Sequence, residues 1–346
     1  MRKTLIFGGG FGLLLLISAI ISLSMGSAHI PLLEVWRILL HRLPLLGQWI
    51  TPNWDAGSET IIIQVRLPRV ALAMLVGASL SIAGAGYQGV LRNPLADPYT
   101  LGVASGASAG AALVMMLGLR ATWGLWALPA AAFPAGLFTL ILVYALAGKA
   151  GRKKVETLIL AGVIIQAFFG AFVSLTVALS HGMVNEILFW LMGSVAMRGW
   201  EYSRVLFPAL LITSVVLSCF SRTLNLFALG EKQAAYMGVH VGRTKLIVLG
   251  MATFLTAGAV SVAGTIGFVG LVVPHLVRLL AGPDYRLLIP VSALAGASYV
   301  LWSDTLARTI LSNQEIPLGV VTALIGTPFF AYLLYERRAL KGRAKP

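Results

Sequence analysis

One short motif in the sequence has the spacing of a catalytic nucleophile. The stretch GASAG (106–110) places Ser108 in a G-x-S-x-G pattern, which in hydrolases presents a serine hydroxyl for attack on an acyl carbon. That chemistry needs a strand, a sharp turn and a nearby base, and the surrounding residues predict none of these. Gly102, Gly106 and Gly110 instead recur every four residues, a spacing typical of a stripe that lets another helix approach closely. Helix packing is therefore the favoured interpretation.

The sequence also lacks the common motifs that bind phosphate groups and metal ions. Neither the phosphate-binding pattern G-x-x-x-x-G-K-[ST] nor the zinc motif H-E-x-x-H occurs. The single cysteine, Cys219, excludes a disulfide framework and a thiolate metal site. The histidines are scattered singly, at His29, His41, His181, His240 and His275. We therefore expect the chain to bind no metal and no cofactor of its own.

The composition is that of an integral membrane protein. Of the 346 residues, 58% are hydrophobic and 11% are charged, and the mean hydropathy is +0.88; soluble domains carry roughly 25% charged residues. The apolar segments are nearly free of ionisable groups, although Asp304, Arg308 and Glu315 cluster near one predicted helix end. Proton-driven carriers usually need acids or histidines inside the membrane. If this chain moves a solute uphill, we expect the energy to enter from another chain.

Ten apolar segments approach the length of a membrane helix, which needs about 20 residues. They are 5–24, 70–90, 98–118, 121–147, 157–180, 205–221, 246–263, 268–280, 287–303 and 316–335. The uncharged stretch between Lys245 and Arg278 is broken by glycines and Pro274, so we divide it into one full helix and one short or re-entrant piece. The sequence predicts an all-α, polytopic membrane protein of about ten helices, forming one domain over residues 1–346.

The distribution of lysine and arginine sets the orientation, because these residues concentrate in cytoplasmic loops. An inside N-terminus puts 18 of the 26 on the cytoplasmic side: Arg2, Lys3, Arg92, Lys149, Arg152, Lys153, Lys154, Arg222, Lys232, Arg243, Lys245, Arg278, Arg286, Arg337, Arg338, Lys341, Arg343 and Lys345. The outer eight are Arg37, Arg42, Arg66, Arg69, Arg120, Arg198, Arg204 and Arg308. Both termini are then cytoplasmic, residues 1–28 are an uncleaved anchor, and the basic excess reflects topology rather than nucleic-acid binding.

Three arginines depart from this trend at the outer face. Arg66 and Arg69 belong to the stretch RLPR, and Arg308 lies at the outer end of the ninth segment. One interpretation is that they are snorkelling anchors at the membrane interface. The other is a docking surface for acidic groups, since the guanidinium fork suits carboxylates better than an ammonium does.

Between the second and third segments, the stretch RNPLADPYTLGVASGASAG (92–110) breaks the helix with two prolines. Asn93, Pro94 and Leu95 then form either a plain turn or the cytoplasmic gate of a pathway.

A second polar stretch, LGEKQAAYMGVHVGRTK (229–245), lies on the predicted cytoplasmic face. Residues 231–237 make about two helical turns, and Gly238 is a natural stop. Ala234, Ala235 and Gly238 offer a smooth face, with Glu231 and Lys232 at its margin. So short a helix is marginal alone in water, which favours a helix seated in a groove of a cytoplasmic partner over a solvated connector.

These stretches, in this order, resemble the permease subunits of type II ATP-binding-cassette importers, the family that takes up iron-siderophores, haem and vitamin B12. The matching stretches are RLPR (66–69), NPLADPYTLGVASGA (93–107), LGEKQAAYMGV (229–239), GTIGFVGLVVPHLVRLLAGPDYRLLIPVSALAGA (264–297) and IPLGVVTALIGTPFF (316–330). The resemblance covers nearly the whole chain. Tyr285 and Ser303 depart from the family's usual histidine and alanine, but neither position carries a role.

The resemblance implies a permease of about ten helices in the bacterial or archaeal cytoplasmic membrane. It implies a homodimer surrounded by lipid, two cytoplasmic ATPase subunits that hold ATP and Mg²⁺, and an extracytoplasmic binding protein. The helix that couples to the ATPase would be formed by Leu229, Gly230, Glu231, Lys232, Ala234, Ala235 and Gly238. Arg66, Arg69 and Arg308 would dock the binding protein. The loop 41–61, with Trp49 and Trp54, is longer than in many members and is a further candidate contact.

The expected activity is ATP-driven alternating access that carries a ferric siderophore, without chemistry on the cargo. Haem or cobalamin is the alternative cargo within the family. A secondary carrier that works alone, and an intramembrane hydrolase built on Ser108, are the alternatives from other classes.

Overall fold

The structure, a computed structural model, describes residues 2–26, 28, 30–44, 47–148, 155–180, 182–311 and 314–343. Several residues used above to predict topology or to survey metal ligands lie outside this set: His29, His181, Lys149, Arg152, Lys153, Lys154 and Lys345. Every ordered element within the described ranges is helical, and no residue in those ranges forms a strand.

Seven of the described helices are long and apolar enough to cross a membrane, and three shorter apolar helices accompany them. In chain order the helices are α1 (Arg2–Ser24), α2 (Leu32–His41), α3 (Ala56–Thr60), α4 (Leu67–Leu91), α5 (Val103–Met116), α6 (Arg120–Trp123), α7 (Ala127–Leu146), α8 (Val155–Leu179), α9 (Val184–Leu191), α10 (Trp200–Cys219), α11 (Ser221–Phe227), α12 (Glu231–Tyr236), α13 (Val241–Ala263), α14 (Val269–Ala281), α15 (Tyr285–Thr309) and α16 (Leu318–Arg343). Each predicted segment overlaps one of the ten apolar helices. The prediction of an all-α polytopic membrane protein is confirmed.

Two of the ten helices are too short to cross a bilayer by themselves. The 14 residues of α5 and the 13 residues of α14 each extend only about 20 Å, against a hydrocarbon core of about 30 Å. A 3₁₀ turn at Pro98–Leu101 precedes α5, and the non-helical segment 264–268 precedes α14. The predicted segments 98–118 and 268–280 therefore each consist of a half-length helix and an irregular approach.

The centre of the bundle is α4, which packs against α10, α13, α14 and α15. Small residues allow this, because Gly77 lies against the backbone of Gly296 and Gly84 against the backbone of Gly270. A Cβ atom at either position of α4 would overlap the facing carbonyl oxygen. By contrast, α1 and α8 are largely exposed on the outside of this single chain.

Two glycines of the stripe, Gly106 and Gly110, lie against α7, and Gly102 lies nearest the backbone of α8. A Cβ atom at Gly110 would stand 2.6 Å from the carbonyl oxygen of Ala131, and one at Gly106 would overlap the Thr139 side chain. Gly102 has φ of +77° and begins α5 in the left-handed region, where a side chain is strained. The stripe therefore sets the separation between α5 and α7.

We expect Gly110→Ala to lower the free energy of unfolding by about 1–3 kcal/mol, because the facing backbone must move to admit the methyl group. The matched control is Gly250→Ala in α13, where an added Cβ meets no atom within 4 Å. That control should be neutral or slightly stabilising, since alanine favours helix. Thermal unfolding of the two purified variants measures the difference, and equal unfolding temperatures would contradict this packing role.

Two ion-pair clusters, one of predicted inner residues and one of predicted outer residues, lie at opposite ends of α4. At one end, Glu231 contacts Arg92 and Lys245, which join α12 to the end of α4 and to α13. At the other end, Arg69 contacts Asp304, which joins the start of α4 to the end of α15. The two clusters therefore lie at opposite ends of the helix, and the cytoplasmic side of the first stays a prediction.

Asp284 caps the N-terminus of α15 at the first of these ends. Its carboxylate accepts hydrogen bonds from the backbone N–H of Arg286 at 3.0 Å and from the amide of Asn225 at 2.6 Å. Both bonds hold the pKa of Asp284 below its ordinary value, and the bond from the Arg286 N–H has the larger effect. A depressed folded-state pKa stabilises the fold above the ordinary aspartate pKa, and that stabilisation is lost as the pH falls through the folded-state pKa.

Asp284→Ala should therefore cost about 1 kcal/mol of unfolding free energy near neutral pH, the usual effect of losing a helix cap. At acid pH, where the wild-type carboxyl is protonated, the difference between variant and wild type should shrink. Thermal unfolding at both pH values tests this, with Asp284→Asn as a control that keeps a capping oxygen. A difference independent of pH would show that the charge of Asp284 contributes nothing.

Candidate functional site

A cavity of about 840 Å³ lies between α5, α8, α16 and the segments that lead into α5 and α14. Its lining residues are Tyr99, Ala104, Ser105, Ser108, Gln166, Gly170, Val173, Leu191, Met192, Thr265, Gly267, Phe268, Gly319, Val320, Ala323, Leu324, Thr327 and Pro328. None of the described residues on this wall is Asp, Glu, Lys, Arg or His. The wall offers hydroxyl, amide, thioether and aromatic groups but no formal charge.

The cavity exists because the chain re-enters the bundle after α4. Pro98 lies against Gly270 in α14, and Gly270 in turn lies against the carbonyl oxygen of Leu80 near the middle of α4. The segment 92–98 therefore runs back along α4, and α5 begins well inside the bundle. A capping box fixes the entry to α5: Asp97 accepts from the Tyr99 N–H at 2.6 Å, and the Asp97 N–H donates to Thr100 at 2.9 Å.

Tyr99 joins the two half-length helices at the cavity wall. Its hydroxyl donates to the carbonyl oxygen of Ile266 and accepts from the Ile266 N–H, each at 2.7 Å. Phe268, which precedes α14, has φ of +67°, an uncommon conformation for a residue with a side chain. Its ring packs against Gly326 of α16, where an added Cβ would stand 2.7 Å from the Cβ of Phe268. The irregular backbone therefore faces a cavity, as membrane proteins require.

Ser108 lies in this wall on α5, and its side chain is buried. A nucleophilic serine needs a base within hydrogen-bond reach, and the described cavity residues include no histidine or carboxylate. The geometry therefore gives the hydrolase interpretation no support.

The candidate gate residues form a turn after α4. The Asn93 side chain accepts from the Leu95 N–H at 2.9 Å, and its backbone carbonyl accepts from the Ala96 N–H. Asn93, Pro94 and Leu95 are not among the residues that line the cavity, and Leu95 is exposed. Their role as a gate stays a prediction.

Arg66 makes its hydrogen bonds within its own chain. Only 5% of the residue is exposed, and its guanidinium donates to the carbonyl oxygens of Leu23, at 2.7 Å, and of Ser24 and Ala28. It thereby holds the end of α1 against the start of α4.

Arg69 and Arg308 share a buried carboxylate. Asp304, which is 1% exposed, accepts from Arg69 Nε and Nη2 at 2.9–3.0 Å and lies 3.6 Å from Arg308 Nε. Arg69 also pairs with Glu315, whose side chain is 48% exposed, at 2.8 Å. Arg308 donates to the carbonyl oxygens of Ser22 and Met25 at the end of α1. These contacts fasten α1, α4, α15 and the segment before α16 together.

The three predicted docking residues, Arg66, Arg69 and Arg308, thus make hydrogen bonds within their own chain. Arg66 is buried, the side chains of Arg69 and Arg308 are 11% and 6% exposed, and each guanidinium donates to carbonyl or carboxylate oxygens of the same chain. Sequence reasoning saw the cationic group but not its internal acceptors. A docking role is a prediction that would require these arginines to exchange partners.

The short helix α12 is bounded by two glycines in the left-handed half of backbone space, Gly230 with φ of +117° and Gly238 with φ of +85°. This agrees with the boundaries predicted from sequence. The predicted smooth face is corrected at one position, because Ala234 is fully buried against its own chain. Ala235 and Gly238 are exposed.

Larger side chains dominate the exposed surface of this helix. Tyr236 is 89% exposed, and Leu229 and Met237 are also exposed. Lys232 lies beside them in solvent. Sequence reasoning missed Tyr236 and Met237, although they are the large apolar residues in a stretch of small and polar ones.

Glu231 anchors α12 to the bundle. Its carboxylate accepts from the Lys245 ammonium at 2.8 Å and lies 3.9 Å from the Arg92 guanidinium. The Lys245 side chain is only 5% exposed. One acidic side chain thus links the exposed helix to α13 and to the end of α4, from which the chain leads to Tyr99.

Known proteins are similar to this chain in sequence and in architecture. Residues 14–336 match the FecCD transport family. The uncharacterized ABC transporter permease protein YvrB of Bacillus subtilis is 46% identical over 325 residues, 93% of this chain and 91% of that protein. The cobalamin import system permease protein BtuC of Halobacterium salinarum is 44% identical over 280 residues, 81% of this chain and 74% of that protein.

A solved structure is also similar to this chain over most of its length. A metal-chelate type ABC transporter in an inward-facing conformation superposes with a TM-score of 0.82 at 36% identity, covering 95% of this chain and 98% of that chain. The match to the family, the relatives and the solved structure each extend over most of the chain. This protein therefore belongs to the FecCD transport family.

Proposed function

We propose that this ABC transporter permease carries a bulky metal chelate, with a ferric siderophore as the first candidate, across the cytoplasmic membrane of a bacterium or archaeon. Transport proceeds by alternating access, driven by ATP hydrolysis on a separate subunit. ATP and Mg²⁺ bind to that subunit, and this chain holds no cofactor of its own.

The uncharged cavity carries the proposal. A charged wall would hold an ionic cargo tightly, whereas a conduit must release what it admits. Hydroxyl, amide and aromatic groups such as Tyr99, Gln166 and Phe268 give a large ligand weak and distributed contacts. Selectivity then belongs to a binding protein outside the membrane rather than to this chain.

A second copy of the chain is proposed to complete the pathway. The cavity lies next to α8 and α16, and both helices expose large apolar side chains, including Phe168 and Leu324. Two copies related by a two-fold axis would bury these faces and enclose the cavity between them.

The ATPase is proposed to receive α12. A short helix held by two turn glycines, exposing Tyr236 and Met237, offers an apolar projection that a groove of a partner can enclose. Motion of that partner would reach the bundle through Glu231 and Lys245.

Cobalamin is the second candidate cargo. The Halobacterium relative named above is a cobalamin permease and is more similar in sequence than the iron-citrate and iron-hydroxamate permeases of Escherichia coli and Bacillus subtilis, at 36–38% identity. Haem, the cargo named for a 38% identical permease of Yersinia pestis, follows as a third.

Uptake into proteoliposomes that contain the permease, its ATPase and its binding protein distinguishes these possibilities. We expect uptake of a radiolabelled ferric siderophore that requires ATP and that excess unlabelled cobalamin and haem do not reduce. Competition by cobalamin would transfer the assignment to the second candidate. ATP-independent uptake by the permease alone would identify a secondary carrier and overturn the proposed mechanism.

A further inference from the structure

The helix α2 lies outside the ten apolar segments and has two unlike faces. Val35 and Ile38 are fully buried against the bundle. Leu33, Trp36 and Arg37, at positions i, i+3 and i+4, form an exposed stripe on another side, and Leu33 is 63% exposed. The stripe is apolar with one cationic group, a pattern typical of helices that lie in a membrane interface.

The position of α2 follows from arginine contacts at its two ends. Arg66 binds the carbonyl oxygens of Leu23, Ser24 and Ala28, so the link from α1 to α2 is held at the level where α4 begins. The far end of α2 lies further from the membrane. There Arg42 pairs at 2.5 Å with Glu59 of α3, which precedes Arg66 in one continuous helix. The first turns of α2 are therefore the ones nearest the membrane.

The surroundings of α2 favour lipid as its neighbour. It packs on α1, which contacts α4 and α15 and exposes apolar side chains such as Leu13 and Ile17 along its length. The cavity and the apolar faces proposed for a second copy belong instead to α8 and α16. The exposed stripe of α2 therefore lies on a helix that packs next to the exposed apolar side chains of α1.

Arg37, the charged residue of the exposed stripe, suits a phosphate group, whereas Glu34 in the first turn of α2 lies outside the stripe and is only partly exposed. Among the described residues, no carboxylate lies within 4.0 Å of Arg37, and its one hydrogen bond is a long one of 3.5 Å to the Asn53 side chain. Tryptophan and arginine are favoured at the headgroup level, where the indole ring stays partly apolar and the guanidinium meets lipid phosphates.

We propose that the first turns of α2 form an interfacial anchor in the outer leaflet, with Leu33 and Trp36 at the boundary of the acyl chains and Arg37 on a phospholipid phosphate. The anchor holds the outer ends of α1 and α4 at a fixed depth. It does not depend on the cargo or on the ATPase.

Fluorescent labelling of introduced cysteines tests the anchor. In a Cys219→Ser background, Leu33→Cys and Trp36→Cys are labelled separately, with Ala56→Cys as the control. Ala56 is exposed and lies ten residues before Arg66 in a continuous helix, about 15 Å further along it. The labelled proteins are reconstituted into phosphatidylglycerol–phosphatidylcholine bilayers containing brominated acyl chains, and aqueous iodide serves as the opposite quencher.

We expect brominated lipid to reduce emission about twofold or more at positions 33 and 36 and to change it little at position 56, with the reverse order for iodide. Equal iodide quenching at all three positions would overturn the proposal, because the stripe would then face water. Protection of positions 33 and 36 from both quenchers would also overturn it, because a protein surface would then cover α2. Two labelled positions keep the test valid if one substitution prevents folding.

Discussion

Asp304→Ala is expected to lower the free energy of unfolding by about 3–5 kcal/mol, the cost of removing one partner from a buried ion pair. Asp304 is 1% exposed and serves two arginines, Arg69 and Arg308, whose side chains are themselves 11% and 6% exposed. Without the carboxylate, both guanidinium groups stay buried with less compensation. The outer ends of α4 and α15 should then separate.

The matched control for Asp304 is Glu315→Gln, which removes the other carboxylate on Arg69. Glu315 is 48% exposed, so water can replace it, and its loss should cost less than about 1 kcal/mol. Thermal unfolding of both variants in the same detergent or nanodisc gives the comparison. Equal losses would contradict the assignment of Asp304 as the central acid of this cluster. Asp304→Asn, which keeps the size of the side chain, separates the loss of charge from the loss of packing.

Glu231→Gln is expected to have the second large effect, on coupling rather than on folding. The variant removes the charge that attracts the Lys245 ammonium and the Arg92 guanidinium, and so weakens the link of α12 to α13 and to the end of α4. The partner ATPase should still bind the exposed Tyr236 and Met237, so ATP hydrolysis should persist. The amount of cargo carried per ATP should fall about tenfold, because α12 would then move with less displacement of the bundle.

The neighbouring Lys232→Gln is the control for Glu231, because Lys232 is exposed on the same helix. It should leave the ratio of transport to ATP hydrolysis unchanged. The exchange of charges in Glu231→Lys with Lys245→Glu should restore part of that ratio if the ion pair itself transmits the motion. A normal ratio in Glu231→Gln would show that α12 is coupled by other contacts.

The number and order of the membrane helices could be predicted from sequence, because long apolar runs report directly on the bilayer. The half-length helices could not. The stretches around α5 and α14 are as apolar as a full span, and their return into the bundle depends on packing between distant residues such as Pro98 and Gly270. Hydropathy records how apolar a segment is, not where along the bundle it begins.

In the candidate sites, local features could likewise be predicted from sequence, whereas contacts between distant residues could not. Gly238 marked the end of α12 because turn chemistry is local. The face of α12 that is buried depends on Ala234 meeting residues elsewhere in the chain. Similarly, RLPR indicated a cationic cluster, but the acid that neutralises Arg69 lies 235 residues away in α15. Pairing at that separation leaves no local signal in one sequence.

The hydroxyl group of Tyr99 limits how this protein can change shape. Because it bonds both the amide and the carbonyl of Ile266, the starts of α5 and α14 are clamped into one mechanical unit. An opening stroke that shifts α5 must drag α14 with it or break both bonds at once. In the proposed alternating access, we therefore expect the starts of α5 and α14 to move together beside the cavity.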